Sequence, residues 1–417
     1  MYKRVVITGI GALTPIGNTV KEFSDNLFAG KSGAGPITYF DTTKFKTKFA
    51  CEVKGFDVAN YPTLFDRKEI RKHDMYSLFA MVASEEAVID SGLDFKSIDP
   101  NSAGVVWASG IGGIRTFFDE VKGYVLGDNT PRFSPFFVPK MISDIAAGYI
   151  SIRHGLRGPN YGTVSACASS NNAIIDGFNL IRMGTVNIMV VGGSESAINE
   201  AGVGGFNAAQ ALSTRNDDYL TASRPFDKNR DGFVIGEGAG GLILEEYEHA
   251  KARGAKIYAE IAGGGMSGDA YHITAPHPEG LGAIAVMETA IKSSGLSLED
   301  VDYINVHGTS TPLGDLVELN AVKKVFGEHA YKLSISSTKS MTGHLLGAAG
   351  AIETISCILA IQKGLIPPTI NFHEKDEQID YNLNLTLNNA QEKEVKVALN
   401  NVFGFGGHNA SVLLKKI

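Results

Sequence analysis

YGTVSACASSNNA, residues 161–173, is the stretch whose reading decides the fold. An apolar, strand-like run gives way to small polar residues at Cys167, and a helical pattern starts directly after it. Ile174, Phe178 and Ile181 then recur at helical spacing, and Gly184 offers a stop. A thiol at such a turn faces the unpaired N–H groups and positive dipole end of the helix, settings that lower a cysteine pKa to roughly 3.5–7.5. The plainer alternative is a buried, inert cysteine, the commoner fate of the residue type. Cys51 and Cys357 have no comparable setting and are read in that way.

The same order of strand, small-residue turn and buried helix occurs twice, over residues 163–183 and 333–363, as a diverged duplication would leave it. Short Val/Ile/Ala runs at 5–8, 105–108, 188–191, 241–244, 301–306 and 397–399 alternate with longer helical patterns. Alternation of that kind predicts a layered α/β fold with buried strands. Two further helices are predicted. One runs through GDLVELNAVKKVFG and stops at Gly327; the other, MTGHLLGAAGAIETISCILAIQKG over 341–364, is nearly apolar and closes before Pro367 and Pro368. The charged stretch 245–256 is the best boundary, dividing the chain into halves 1–255 and 256–417.

Composition narrows the function. With 417 residues, 44% hydrophobic and 20% charged, the chain has ample material for a large core and is not a disordered one. Its formal net charge of −7 argues against a partner such as nucleic acid, which is bound by neutralising phosphates. The N-terminus MYKRVVITGIG is too short an apolar run for a signal peptide or membrane anchor, and the three cysteines show no C-x-x-C spacing. A cytoplasmic protein with no metal and no disulfide is the expectation. VVITGIGALTPIG begins like a dinucleotide fingerprint but carries Thr14 at the third glycine position, so it is read as a strand and tight turn at the edge of the core.

A nucleophilic Cys167 needs proton and oxyanion partners. His307 ends the apolar run VDYINV and opens HGTSTPLGD. His344, in STKSMTGHLLGAAG, is placed at the start of the apolar helix, where the dipole favours a neutral, hydrogen-bond-donating imidazole; Lys339 precedes it.

Along essentially its whole length the chain resembles the elongating β-ketoacyl-acyl-carrier-protein synthases, most nearly the synthase II branch. SACASS, HGTSTPLGD, KSMTGHLLGAAG and NVFGFGGHN match that family's motifs in order, and GVGGFNAAQALSTRND and SRPFDKNRDGFVIGEGAG are similar too. The resemblance implies the thiolase fold, two similar α/β halves forming a five-layer α-β-α-β-α core. It implies a decarboxylating Claisen condensation: Cys167 takes an acyl group from carrier phosphopantetheine, and malonyl-acyl carrier protein then supplies two carbons. No separate cofactor is needed, because phosphopantetheine arrives on the carrier.

The same resemblance assigns roles. His307 and His344 would donate to the malonyl thioester oxygen, and the backbone N–H groups of Cys167 and Phe405 would form the oxyanion hole. Lys339 would contact the supporting carboxylate Glu318, Thr309 and Thr311 would bind pantetheine, Phe405 would gate the site, and Ile111 would limit the acyl pocket. Arg67, Lys68, Arg71 and Lys72, at helical spacings, with Arg132, would dock the acidic carrier protein. Gln210 stands where the family often has a basic residue, and His408 where it usually has threonine. A homodimer is implied as well. A thiolase would need a second cysteine in GFGGHN, which has none. A non-catalytic partner subunit would typically have lost Cys167, whereas a condensing enzyme of a polyene or polyketide pathway would keep all four catalytic residues.

Overall fold

A computed structural model describes residues 2–417; the Arg67 side chain lies outside the described residues. Ten strands carry the architecture: β1 (Val5–Leu13), β2 (Ala103–Ala108), β3 (Asn160–Thr163), β4 (Ile188–Glu195) and β5 (Gly238–Glu246), then β6 (Ala259–Gly268), β7 (Tyr303–Asn305), β8 (Ser334–Ser336), β9 (Val397–Gly404) and β10 (His408–Lys415). They pair in the order β8-β7-β9-β10-β6-β1-β5-β4-β2-β3. Each half therefore forms a five-strand leaf of one topology, third-second-fourth-fifth-first. Each leaf also has the same mixture of two parallel and two antiparallel pairings. The leaves join where Val5, Val6 and Ile7 pair with Ile261, Glu260 and Ala259.

Six helices complete the layers: α1 (Met75–Ser91), α2 (Ile145–His154), α3 (Ser169–Arg182), α4 (Leu281–Ser294), α5 (Pro312–Phe326) and α6 (Ala349–Lys363). α1 and α2 cover the first leaf, and α4 and α5 the second. α3 and α6 lie between the leaves, in a core that includes Ile174, Phe178, Ile352 and Ile355. This is the five-layer α-β-α-β-α arrangement. The apolar segment 346–363 has the length and composition of a membrane span, yet 89% of it is buried in this central layer. Asn400 ties the layer together, donating to Asn171 Oδ1 of α3 at 3.1 Å and to the Gly350 carbonyl of α6 at 2.9 Å.

Two expectations are corrected. The glycines of VVITGIG do not end a strand at the edge of the core, because β1 runs through them to Leu13 in the middle of the sheet. A Cβ at Gly9 or Gly11 would meet the carbonyls of Ala87 or Ala83 at 2.1 and 2.0 Å, so these glycines let α1 lie directly on β1. The predicted helix over 341–364 is also broken. Gly343 at φ +68 ends a single turn, Lys339–Thr342, and the long helix begins only at Ala349.

Candidate active site

Cys167 stands on the turn between β3 and α3. Ala166 just before it adopts φ +50, a left-handed conformation uncommon for a residue with a side chain. Local bonds hold it there: the Ser169 hydroxyl donates to the Ala166 carbonyl at 2.6 Å and accepts the Ser165 N–H at 2.8 Å.

The equivalent turn of the second half, between β8 and α6, supplies the partners. The His344 N–H donates to the Val234 carbonyl at 2.7 Å, the Gly236 N–H donates back to the His344 carbonyl at 2.9 Å, and the Phe233 ring stands edge-on 5.3 Å away. His344 Nδ1 accepts the Leu346 N–H at 3.3 Å, which assigns the ring proton to Nε2, and Nε2 lies 3.0 Å from Cys167 Sγ. His307 follows β7. Glu318 on α5 accepts the N–H groups of His307 and Gly308 at 2.8 Å each, and the His307 ring is 5.3 Å from that of His344 in a T-shaped pair. His307 Nδ1 is buried without a partner.

Burial, then the Lys339 charge, holds the pKa of His344 well below 6.5; for His307 the nearness of His344 adds to both. Both imidazoles are neutral donors. For His344 the cause differs from the helix dipole invoked from sequence, because the residue pairs with the extended segment 234–236, after the turn Lys339–Thr342 and five residues before α6 begins at Ala349. The Cys167 expectation is reversed. Although the residue keeps partial exposure to the cavity, desolvation pushes its thiol up to about 12, outweighing the Lys339 charge and a hydrogen bond from the Phe405 N–H. The helix proper starts two residues further on, at Ser169. A dipole is a fraction of a charge, and here it competes with loss of water.

Lys339 is buried, and its ammonium pairs with Glu353 of α6, not with Glu318 as the motif implied. Glu318 spends its oxygens on the His307 turn and feels Lys339 only at longer range. Burial raises both carboxyls to about 7. Sequence reasoning missed Glu353, although a lone carboxylate in an apolar helix was the available signal.

Cys167, His307, His344, Thr309, Thr311, Glu318, Ile111 and Phe405 line one cavity of about 480 Å³. The Thr309 and Thr311 hydroxyls lie 3.1 Å apart on its wall. Phe405 occupies the tip of the β9–β10 hairpin, where Gly406 and Gly407 both take positive φ, and its ring is 6.5 Å from Phe206. A Cβ at Gly406 would meet the His408 ring at 2.8 Å.

The docking residues lie outside the cavity. Only the turn Arg67–Ile70 is helical, capped by Asp66, so the expected helical spacing ends before Arg71 and Lys72. Lys68, Arg71 and Arg132 are exposed; Lys72 pairs with Glu69 at 2.6 Å and Arg132 approaches Asp128 at 3.8 Å. Among the described residues no group of three or more His, Cys, Asp or Glu side chains is placed to hold a metal ion.

The chain matches the beta-ketoacyl synthase N-terminal domain over residues 2–250 and its C-terminal domain over 258–373. It is 48% identical over 414 residues to a 3-oxoacyl-[acyl-carrier-protein] synthase 2 of Synechocystis, covering 99% of this chain and 98% of that one. Among solved structures, a beta-ketoacyl synthase from Burkholderia phymatum superposes with a TM-score of 0.91 at 35% identity over the full length of both chains. A type II polyketide ketosynthase in complex with its acyl carrier protein does so with a TM-score of 0.91 at 33%, again over the full length of both chains.

Proposed function

The chain belongs to the beta-ketoacyl synthase family, and from that premise we propose how its residues carry out the reaction. It is an acyl-transferring condensing enzyme of fatty-acid elongation, working on acyl groups delivered by acyl carrier protein. The observation that carries the assignment of roles is the Nε2–H of His344 aimed at Cys167 Sγ from 3.0 Å, inside a cavity shared with His307.

Cys167 attacks the incoming thioester carbonyl; the carbon–sulfur bond to pantetheine breaks, and the carrier thiol leaves with the proton that Cys167 lost. The thiolate, unfavourable in the resting site, is held by the Phe405 N–H and His344 Nε2–H. Malonyl carrier then loses CO2, and the electron pair passes into an enolate whose oxygen accepts from His344 and His307. Neutral donors already in place cost no reorganisation as that charge appears. The carbanion attacks the Cys167 thioester, the carbon–sulfur bond breaks with its electron pair left on Sγ, the thiolate takes up a proton from solvent, and the 3-oxoacyl carrier departs.

Thr309 and Thr311 hold pantetheine, and Phe405 gates the cavity. Lys68, Arg71, Lys72 and Arg132 receive the acidic carrier. The molecule is a homodimer in this reading, supported by the unpaired outer edge of β3, where Tyr161 is exposed.

Incubation with acyl carrier thioesters of graded length, followed by mass spectrometry, tests the assignment. One acyl adduct on Cys167 that is lost in Cys167→Ala is expected; no adduct at any length overturns it. The preferred lengths separate a fatty-acid enzyme from a polyketide one, and light scattering of the same sample reads the dimer.

A further inference from the structure

The reaction derived above uses no atom of Glu195, yet this carboxylate is wholly buried at the end of β4, beside the cavity. Its oxygens accept four hydrogen bonds from two different turns. Oε1 takes the Ser109 hydroxyl at 3.0 Å and the Ile111 N–H at 3.2 Å; Oε2 takes the Gly110 N–H at 2.8 Å and the Gly347 N–H at 3.0 Å. The Ser109 oxygen in turn accepts the Gly112 N–H at 3.0 Å. Every amide from Gly110 to Gly112 is therefore bound to Glu195 or to the hydroxyl that Glu195 holds. That turn presents Ile111 to the cavity.

The second turn leads to the chemistry. Gly347 follows Leu346, a buried residue at φ +49, and the Leu346 N–H is the bond that fixes the His344 tautomer. A left-handed leucine is strained and persists only where its surroundings over-determine it. The bond from Gly347 to Glu195 is one such restraint. The fit leaves no slack: a Cβ at Gly110 or Gly347 would stand 2.9 or 2.7 Å from Oε2. Burial raises the Glu195 carboxyl to about 7 despite its four donors, so the group is retained against a real desolvation cost.

We propose that Glu195 is a positioning residue that sets which acyl chains the Cys167 cavity accepts, by fixing the Ile111 turn against the Leu346–Gly347 turn. The proposal rests on Cys167 being the acyl carrier. One methylene packed against a fixed wall discriminates by about 10–200-fold, and a wall free to move discriminates less.

Glu195→Gln keeps the size and loses the acceptor set. With its NH2 at the Oε2 position, it opposes the N–H groups of Gly110 and Gly347; flipped, it opposes that of Ile111. Either placement leaves a buried donor unpaired. Acylation rates of Cys167 are to be measured over graded acyl-carrier thioesters. The ratio between the preferred chain and one four carbons longer should fall about tenfold in the variant. Chains too short to meet Ile111 should lose a smaller factor. Nitrogen NMR of His344 should show the Nε2–H tautomer giving way to a mixture.

Ser109→Ala removes one donor and keeps the carboxylate, so it should shift the same ratio in the same direction by less, and it decides the matter if Glu195→Gln does not fold. Equal losses at all lengths with an unchanged tautomer, or a Ser109→Ala profile identical to the wild type, overturn the proposal. Wild-type protein that takes no acyl group at any length would instead sink the reading of Cys167 and leave Glu195 without a role to position.

Discussion

The two halves of the molecule place the same device, a strand running through a turn into a central helix, on either side of one cavity, and they use it differently. Between β3 and α3 the turn is short, and its left-handed residue, Ala166, directly precedes the nucleophile. Between β8 and α6 the turn has grown to hold a separate helical turn with Lys339, the break at Gly343, His344, and the left-handed Leu346. One turn presents a single group and is held by local hydroxyl bonds. The other presents a proton donor and a buried charge, and it is held from a distance, by Glu353 on its own helix and Glu195 on the opposite leaf. The repeated topology supplies the frame, and the longer loop supplies room for charge.

The contrast breaks first at the buried pair. Glu353→Leu leaves the Lys339 ammonium in the interior without its carboxylate, and loss of one partner of such a pair costs about 3–5 kcal/mol. Urea unfolding should show that loss, and Lys339→Met combined with Glu353→Leu should recover most of it. A loss below about 1 kcal/mol in the single variant would mean that the second turn is not held by charge. The double variant also carries a pH signature. Lys339 disfavours the imidazolium forms of His307 and His344, so its removal raises both pKa values. The acidic limb of the decarboxylation rate should then move to higher pH.

Next comes the division of labour between the turns. His344→Ala removes a donor to the developing enolate, and loss of one such donor typically costs about 10²–10³ in rate. Carbon dioxide release from malonyl carrier should fall by that factor, while acyl adducts on Cys167 still form. Loss of both steps to the same degree would show that His344 counts as much in holding the Cys167 thiolate as in decarboxylation, and the comparison would then have to be redrawn.

The shared frame was legible because both halves carry the same periodicity and glycine punctuation. α3 and α5 stop at the expected Gly184 and Gly327, and the apolar residues of α6 occupy the central layer. Cys167, His307 and His344 stood in readable motifs and do meet in one cavity. What escaped depends on three-dimensional desolvation. The thiol of Cys167 looked activated by a helix end, but burial outweighs that, and the residue lies against His344 and Gly404, neither of them near it in sequence. Glu353 and Glu195 escaped for the same reason, since an isolated carboxylate in an apolar run says nothing about which distant donor it meets. The N-terminal glycines misled in the opposite direction: a spacing that looks like a turn is a strand thinned for α1.

The smallest effect gives the finest distinction. Ala166 and Leu346 have nearly the same left-handed backbone, φ +50 and φ +49, so glycine relieves the same strain at both, about 1–2 kcal/mol less the unfolded-state entropy that glycine adds. At Ala166 little else is lost, and Ala166→Gly should leave unfolding stability within about 1 kcal/mol of the wild type. Leu346 is a buried side chain in the cluster with Ile198 and Phe233. Leu346→Gly therefore also loses about 2–5 kcal/mol of packing and should be destabilising overall. Equal effects at the two sites would show that backbone strain alone governs both turns. The predicted gap says instead that the first turn stores its strain locally, while the second holds its own through a packed side chain, so the two copies are maintained by different forces.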